Sequence, residues 1–169
     1  MKVLTSALLI SALSIGTLIK AASPWADLFP DQLMMSNGES VNRDTVLGQK
    51  IVGIYFGAKW CPPCQSFTPP LVSFRNKNSS EFEVVFVSSD RSKADQLAYM
   101  QSKNMSFPAV PLRAAETSKL KSKYNIRGIP SFIIVSPADG STISTAGRSE
   151  LSNNPNGCLA EWKKKVVVT

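Results

Sequence analysis

Histidine is absent from the chain, and cysteine occurs three times. A closed zinc site takes about four Cys or His ligands, so these residues cannot complete one and no metal is expected. The missing histidine also removes the residue that would place a charged or donor group inside a strongly oxidising cysteine pair. Basic residues outnumber acidic ones 19 to 12. Apart from Lys163-Lys164-Lys165 they are scattered, and no basic stripe is interleaved with aromatics. Nucleic acid is therefore not an expected partner; the positive balance suits solubility or weak contact with anionic surfaces. No internal repeat or low-complexity tract occurs.

The N-terminus opens on Met1-Lys2, continues as a largely apolar stretch from Val3 to Ile19, and ends in Lys20-Ala21-Ala22-Ser23. A basic start, an apolar centre and small residues after it form a secretory signal pattern, expected over residues 1–22. The stretch is interrupted by Ser, Thr and Gly and is barely long enough for a bilayer, which needs about 20 apolar residues. Cleavage is thus favoured over a permanent anchor, although Lys20 and Pro24 leave the cut poorly defined. Removing 22 of the 169 residues leaves 147 and lowers the net charge from +7 to +5, which suits one domain with a single core. The expected organisation is a signal over 1–22, a linker over 23–30 and one domain over 31–169. The protein is expected to be exported, periplasmic or secreted, and free of stable membrane contact unless the signal stays uncleaved.

Chemistry concentrates in Trp60-Cys61-Pro62-Pro63-Cys64, which follows the apolar run Ile51-Val52-Gly53-Ile54-Tyr55-Phe56 and precedes Gln65-Ser66-Phe67-Thr68. A strand giving way to a helix here puts the first thiol at the helix N-terminus, where unpaired amides and the dipole favour an anion. Such positions lower a cysteine pKa from about 8.5 into the range of about 3.5–7.5. Cys61 is therefore the expected nucleophile. Cys64, one turn further in, can attack a mixed disulfide on Cys61 and release the substrate, leaving the pair oxidised. A short structural clip would use the same two cysteines. A small loop constrains the unfolded chain least, however, and neither Trp60 nor the two prolines are needed for a clip. The odd cysteine, Cys158, reads as a small buried residue; exposed, it would pair between chains.

The remaining elements alternate. Gln32 to Val41 reads as a hairpin at a sheet edge, turning at Ser36-Asn37-Gly38. Ile51–Phe56 and Phe82–Ser88 are apolar enough to be strands buried on both faces. The helix after Cys61 should reach Lys77, with Pro69 and Pro70 inside it removing two amide donors. Ser92 to Lys103 carries capping-box spacing between Ser92 and Asp95, with Leu97, Ala98 and Met100 as its apolar positions. Phe107–Leu112 is irregular and bounded by prolines. A short helix over Glu116–Tyr124, a strand over Ser131–Val135, a turn at Asp139-Gly140 into Ser141–Thr145, and a closing helix over Asn156–Lys165 complete the chain. The class is α/β, a central mixed sheet with helices on both faces.

These residues resemble the thioredoxin superfamily, and within it the tryparedoxin and nucleoredoxin group. The likeness is carried by Tyr55 to Cys64, by Phe67-Thr68-Pro69, by Phe82 to Asp90, and by Ala109-Val110-Pro111, Ile129-Pro130, Gly147-Arg148, Pro155, Gly157 and Trp162. The resemblance implies a thioredoxin-like fold. It also implies a cis peptide bond at Ile129-Pro130 facing the dithiol, where neighbouring backbone groups would pair with an extended substrate. Trp60, Pro62, Pro63, Ile129 and Pro130 are then the candidate substrate contacts, and Tyr55 and Lys59 are auxiliary. Tyr55 stands where thioredoxins proper carry a buried aspartate; a tyrosine is a poor base near neutrality. Its alternative role is plain core packing. Lys59 is either an exposed charge near the thiolate or a surface lysine without effect on it. Ser89, Phe107 and Leu112 depart from the group's aromatic pattern, so trypanothione-linked specificity is not carried over.

The function this implies is thiol–disulfide exchange with exported protein disulfides, as a reductase or isomerase partner. Its only redox group would be the Cys61–Cys64 disulfide, with no separate cofactor. An unidentified electron donor completes the cycle, and a monomer is expected. Two alternatives stand beside it: a reductant in cytochrome c maturation, and a non-catalytic peptide-binding module of the same fold.

Overall fold

The computed structural model describes residues 22–166; the expected signal over residues 1–22 lies outside them, Ala22 excepted. Two adjacent apolar runs form the centre. Strands β3 (Ile51–Gly57) and β4 (Phe82–Ser88) pair in parallel, Ile51 opposite Phe82 through Gly57 opposite Ser88. On the other side of β3 lies β5 (Ser131–Val135), antiparallel, followed by β6 (Thr142–Ser144), giving the order β4-β3-β5-β6. Side chains of a strand alternate between faces, and the two cores follow that alternation. Ile51, Tyr55, Phe82, Val84, Phe86, Phe132 and Ile134 belong to one core, whereas Val52, Ile54, Phe56, Val85, Val87, Ile133 and Val135 belong to the other.

The hairpin of β1 (Gln32–Met34) and β2 (Ser40–Asn42) forms where expected. Its link to the sheet runs through the proline-bounded segment: Met34 exchanges two backbone hydrogen bonds of 2.8 Å with Ala109, while Phe86 donates to Pro108 O and accepts from Val110 N at 2.9 Å each. Pro108 and Pro111 have no amide hydrogen, so the bridge stays this short.

The helices are α1 (Arg43–Leu47), α2 (Pro62–Lys77), α3 (Lys93–Ser102), α4 (Ala115–Lys123), α5 (Gly147–Asn153) and α6 (Cys158–Lys164). Among the described residues no helix is long and apolar enough to cross a membrane. On α3 the buried residues are Gln96, Tyr99 and Met100, with Leu97 and Ala98 half-buried. Met100 is thus buried as expected, while Gln96 and Tyr99 take the inward positions expected of Leu97 and Ala98.

Three further features differ from the expectation. Residues 23–30 are not a linker: Trp25, Leu28 and Phe29, spaced to share one face of a turn, are buried in the second core. The Trp25 indole donates to Gly48 O at 3.0 Å. The second is α1, capped by Asn42, whose side chain accepts from Thr45 N at 3.0 Å. The third is α5, which the Ser- and Asn-rich sequence disguised. Gly147 permits it, because a Cβ there would stand 2.8 Å from the Phe132 carbonyl oxygen. Glycine thus lets α5 lie directly on β5.

Candidate functional site

The cysteine pair sits at the end of β3, where the chain turns into α2. Cys61 is the N-cap of α2, extended at φ −96° and ψ 107°. Pro62 and Pro63 occupy the first two helical positions, where an amide hydrogen would have no partner inside the helix. Lacking those hydrogens, they leave the Cys64 amide as the first donor available to the cap. It points to the Cys61 sulfur, with N to Sγ at 3.3 Å. The helix ladder begins from the same residue, Gln65 N donating to Cys61 O at 3.1 Å. Cys61 and Cys64 are disulfide-bonded, with Cα atoms 5.2 Å apart. Cys61 is 3% exposed and Cys64 fully buried.

The wall opposite is Ile129-Pro130. That peptide bond is cis, the Ile129 carbonyl oxygen lies 3.7 Å from the Cys61 sulfur, and Ile129 packs on the small cluster of Ala58, Cys61 and Cys64. On the outer side Trp60 is 61% exposed, its indole held by a 3.3 Å hydrogen bond to Ser89 O. Pro62 and Pro63 are exposed next to it. The structure therefore brings the Cys61–Cys64 pair and Ile129 of the cis bond together, with Trp60, Pro62 and Pro63 exposed beside them and Cys64 and Pro130 buried.

Lys59 is beside this surface, with its charge engaged elsewhere. Its ammonium is 3.0 Å from Asp95, whose carboxyl is held below the usual range by the Ser92 hydroxyl first and by Lys59 second. Two residues not singled out in the sequence fix the loop. Asp90 accepts the Lys59 amide at 2.9 Å and the Ser88 hydroxyl at 2.8 Å. Gln65 donates its side-chain amide to Lys59 O. A buried carboxylate two residues past the end of a strand is the signal that marks Asp90.

Beneath Cys64 is a buried hydroxyl cluster, and Thr68 is its missed centre. Thr68 Oγ1 lies 2.8 Å from Cys64 O, 2.8 Å from the Tyr55 hydroxyl and 2.7 Å from the Tyr99 hydroxyl. The carbonyl can only accept, so the single Thr68 proton goes to it and both phenols donate to Thr68. Burial pushes the Tyr55 phenol far above its ordinary value. Tyr55 is thus a neutral, hydrogen-bonded core residue and holds its proton. Gly57 makes room for it: a Cβ there would be 2.7 Å from the Tyr55 hydroxyl. Cys158 is elsewhere, in the first core, and burial pushes its thiol up to about 11.

A dithiol capping a helix at the end of the central strand of a mixed sheet defines a thioredoxin-like redox protein. Comparison agrees. The family described as thioredoxin-like matches residues 48–142, and the chain belongs to that family. Mouse nucleoredoxin is 37% identical over 149 residues, covering 86% of this chain and 33% of nucleoredoxin. Tryparedoxin of Trypanosoma brucei brucei is 33% identical over 132 residues, covering 76% of this chain and 90% of the relative. The solved tryparedoxin from Trypanosoma brucei superposes with a TM-score of 0.74 at 32% identity, covering 83% of this chain and 99% of that one. The chain spans about a third of the length of the nucleoredoxins it matches.

Proposed function

We propose that this thiol–disulfide oxidoreductase reduces or rearranges disulfides of exported proteins through Cys61 and Cys64. The observation that carries the reading is the Cys64 amide aimed at the Cys61 sulfur, at a cap whose next two residues have no amide hydrogen. A thiolate there gains a hydrogen bond and the helix dipole, whereas a thiol gains little.

In the reduced protein the Cys61 thiolate attacks one sulfur of a substrate disulfide. A Cys61–substrate bond forms and the other substrate sulfur leaves as a thiolate, which takes a proton from water. Cys64, deprotonated in turn, attacks the Cys61 sulfur; the second substrate sulfur leaves and the Cys61–Cys64 disulfide forms. Two electrons pass from protein to substrate. An external dithiol returns them by the same two exchanges in reverse. The Ile129 carbonyl, Pro130, Trp60 and the exposed prolines form the wall against which an extended substrate segment would lie.

Export rests on the N-terminal pattern. A cut after Ala22 would leave in place Ser23, whose hydroxyl donates to Asp44, and Trp25, which packs in the core.

Alkylation of the reduced protein across pH, read by mass at each cysteine, tests the exchange reading. Cys61 should react with an apparent pKa in the range of about 3.5–7.5, and Cys64 more slowly. If Cys61 reacts no faster than an ordinary thiol near 8.5, the protein is a peptide-binding module with an inert disulfide.

A further inference from the structure

The cations of this fold differ in their pairing. At the start of β4, opposite to the cysteine pair, Glu83 is paired with Arg75 and Lys50, and Glu81 with Lys163, while Lys77 nearby reaches only Asn156. At the dithiol end Lys59 is paired with Asp95, and several others have no carboxylate. Among the described residues Arg91, Lys93, Arg113, Lys121, Arg127 and Arg148 make no ion pair.

Three of these converge. Arg91, Lys93 and Arg113 line an open cleft of about 520 Å³, with Met34, Pro111 and Leu112 as its apolar wall. All three basic residues are exposed, and the Arg113 guanidinium reaches only the Arg91 carbonyl, at 3.5 Å. Arg113 does so from a positive φ of 66°, a region a side chain with a Cβ enters at a cost. The carboxylates nearby are committed: Asp95 to Lys59 and Ser92, Asp90 to Ser88 and the Lys59 amide, Glu39 to Asn37. Among the described residues none of these carboxylates forms an ion pair with Arg91, Lys93 or Arg113.

Arg91 also lines a second cleft, of about 530 Å³, together with Trp60, Lys59, Asp90 and Asp95. Arg91 is thus shared by the basic cleft and by the cleft beside Trp60, where Asp90 and Asp95 stand with Lys59. Lys121 is a further cation of this end, 3.0 Å from the Ser89 hydroxyl that follows β4.

We infer that the Arg91–Lys93–Arg113 cleft receives an acidic polypeptide segment flanking the substrate disulfide, so that the protein selects disulfides with Asp or Glu on one side. This rests on the exchange reading above and specifies its substrate class. A cluster of one sign in a concave site raises the local concentration of the opposite charge and the encounter rate by about 10- to 1,000-fold at low salt, and the exposed rim is screened within about 10 Å at 0.1 M salt.

The test is single-turnover oxidation of the protein, first reduced with dithiothreitol and freed of it, by three disulfide peptides that differ only in bearing three flanking Glu, Gln or Lys residues. At low salt the Glu peptide should react about 10-fold faster than the Gln peptide and the Lys peptide slowest. At 0.5 M salt the spread should shrink to about 2-fold. In the variant R91Q/K93Q/R113Q the Glu-to-Gln ratio should fall to about one. A wild-type protein that reduces none of the peptides, nor the small neutral disulfide dithiodipyridine, overturns the exchange reading itself. Equal rates on all three peptides, with dithiodipyridine reduced, overturn the acidic-segment inference alone. So does a triple variant that keeps the full ratio. Equal peptide rates together with salt-sensitive binding to phosphatidylglycerol vesicles would assign the cations to a lipid surface instead.

Discussion

Replacing Thr68 by valine keeps the shape of the side chain and deletes the one hydroxyl on which the buried cluster below Cys64 converges. In the native fold the phenols of Tyr55 and Tyr99 both donate to Thr68 Oγ1, at 2.8 and 2.7 Å, and all three side chains are fully buried. Valine offers neither phenol an acceptor. Each stranded buried donor costs about 1–3 kcal/mol; Tyr55 also interacts with the Tyr99 hydroxyl, so one or both phenols are stranded and the variant should lose about 1–6 kcal/mol of a total that is about 5–15 kcal/mol for a typical domain. Tyr55→Phe is the control. It removes one donor while Thr68 still accepts from Tyr99 and donates to Cys64 O, so it should cost only about 1 kcal/mol. The triple variant with Thr68→Val, Tyr55→Phe and Tyr99→Phe removes the stranded groups along with their acceptor and should recover part of the loss. The three do not add. Urea unfolding of the oxidised proteins measures all of this. A Thr68→Val variant no less stable than Tyr55→Phe would refute the assigned direction of the hydrogen bonds, as would a triple variant whose loss is the sum of the singles.

Cys61→Ser should abolish reduction of protein disulfides, because attack needs that sulfur. Cys64→Ser should still attack but accumulate mixed disulfides on Cys61, visible by mass; normal turnover by Cys64→Ser would remove its resolving role. Cys158 bears on stability instead. Its thiol is pushed from an ordinary 9.0 up to about 11 in the fold, so the unfolded chain loses that proton first. The stability this contributes is full below about 9 and is lost as pH rises to about 11. Cys158→Ala should flatten the fall over that window in unfolding titrations; an unchanged slope would contradict the burial of the thiol.

What the sequence made legible follows its periodicity. Strands β3, β4 and β5 were readable because two-sided burial leaves unbroken apolar runs with a period-two division between cores. The helix start at Cys61 was readable because the apolar run of β3 gives way there to a helix, which puts the first thiol at its N-terminus. The parts that stayed hidden depend on partners distant in the chain. Trp25, Leu28 and Phe29 look like a lead-in between prolines until Gly48 and the second core supply the surface they cover. α5 has no side-chain cap and depends on the close approach of Gly147 to β5. Thr68 appeared as a motif letter, yet its role needs Tyr99, 31 residues away. Likewise Lys59 looked like a charge free to act on the thiolate, and only the fold brings Asp95 to it.

The replacement of a buried carboxylate by Tyr55 has a consequence for the second exchange step. In thioredoxins proper, by the resemblance, an aspartate occupies this depth, and a carboxylate there titrates together with the buried cysteine. Here the group at that depth is a phenol donating to Thr68, with its ionisation pushed far above the ordinary range by burial. It neither takes the Cys64 proton near neutrality nor changes charge there. The proton must therefore leave by a route other than Tyr55, through water or a neighbouring group, and release should speed up as Cys64 loses it. Preformed mixed disulfide on Cys61, followed by stopped-flow from about pH 5 to 10, should show one inflection, with the rate rising toward alkaline pH. Tyr55→Phe should leave that inflection in place while lowering stability. A second inflection near neutrality that disappears in Tyr55→Phe would show that the phenol is the base after all, and the hydrogen-bond direction at Thr68 would have to be reversed.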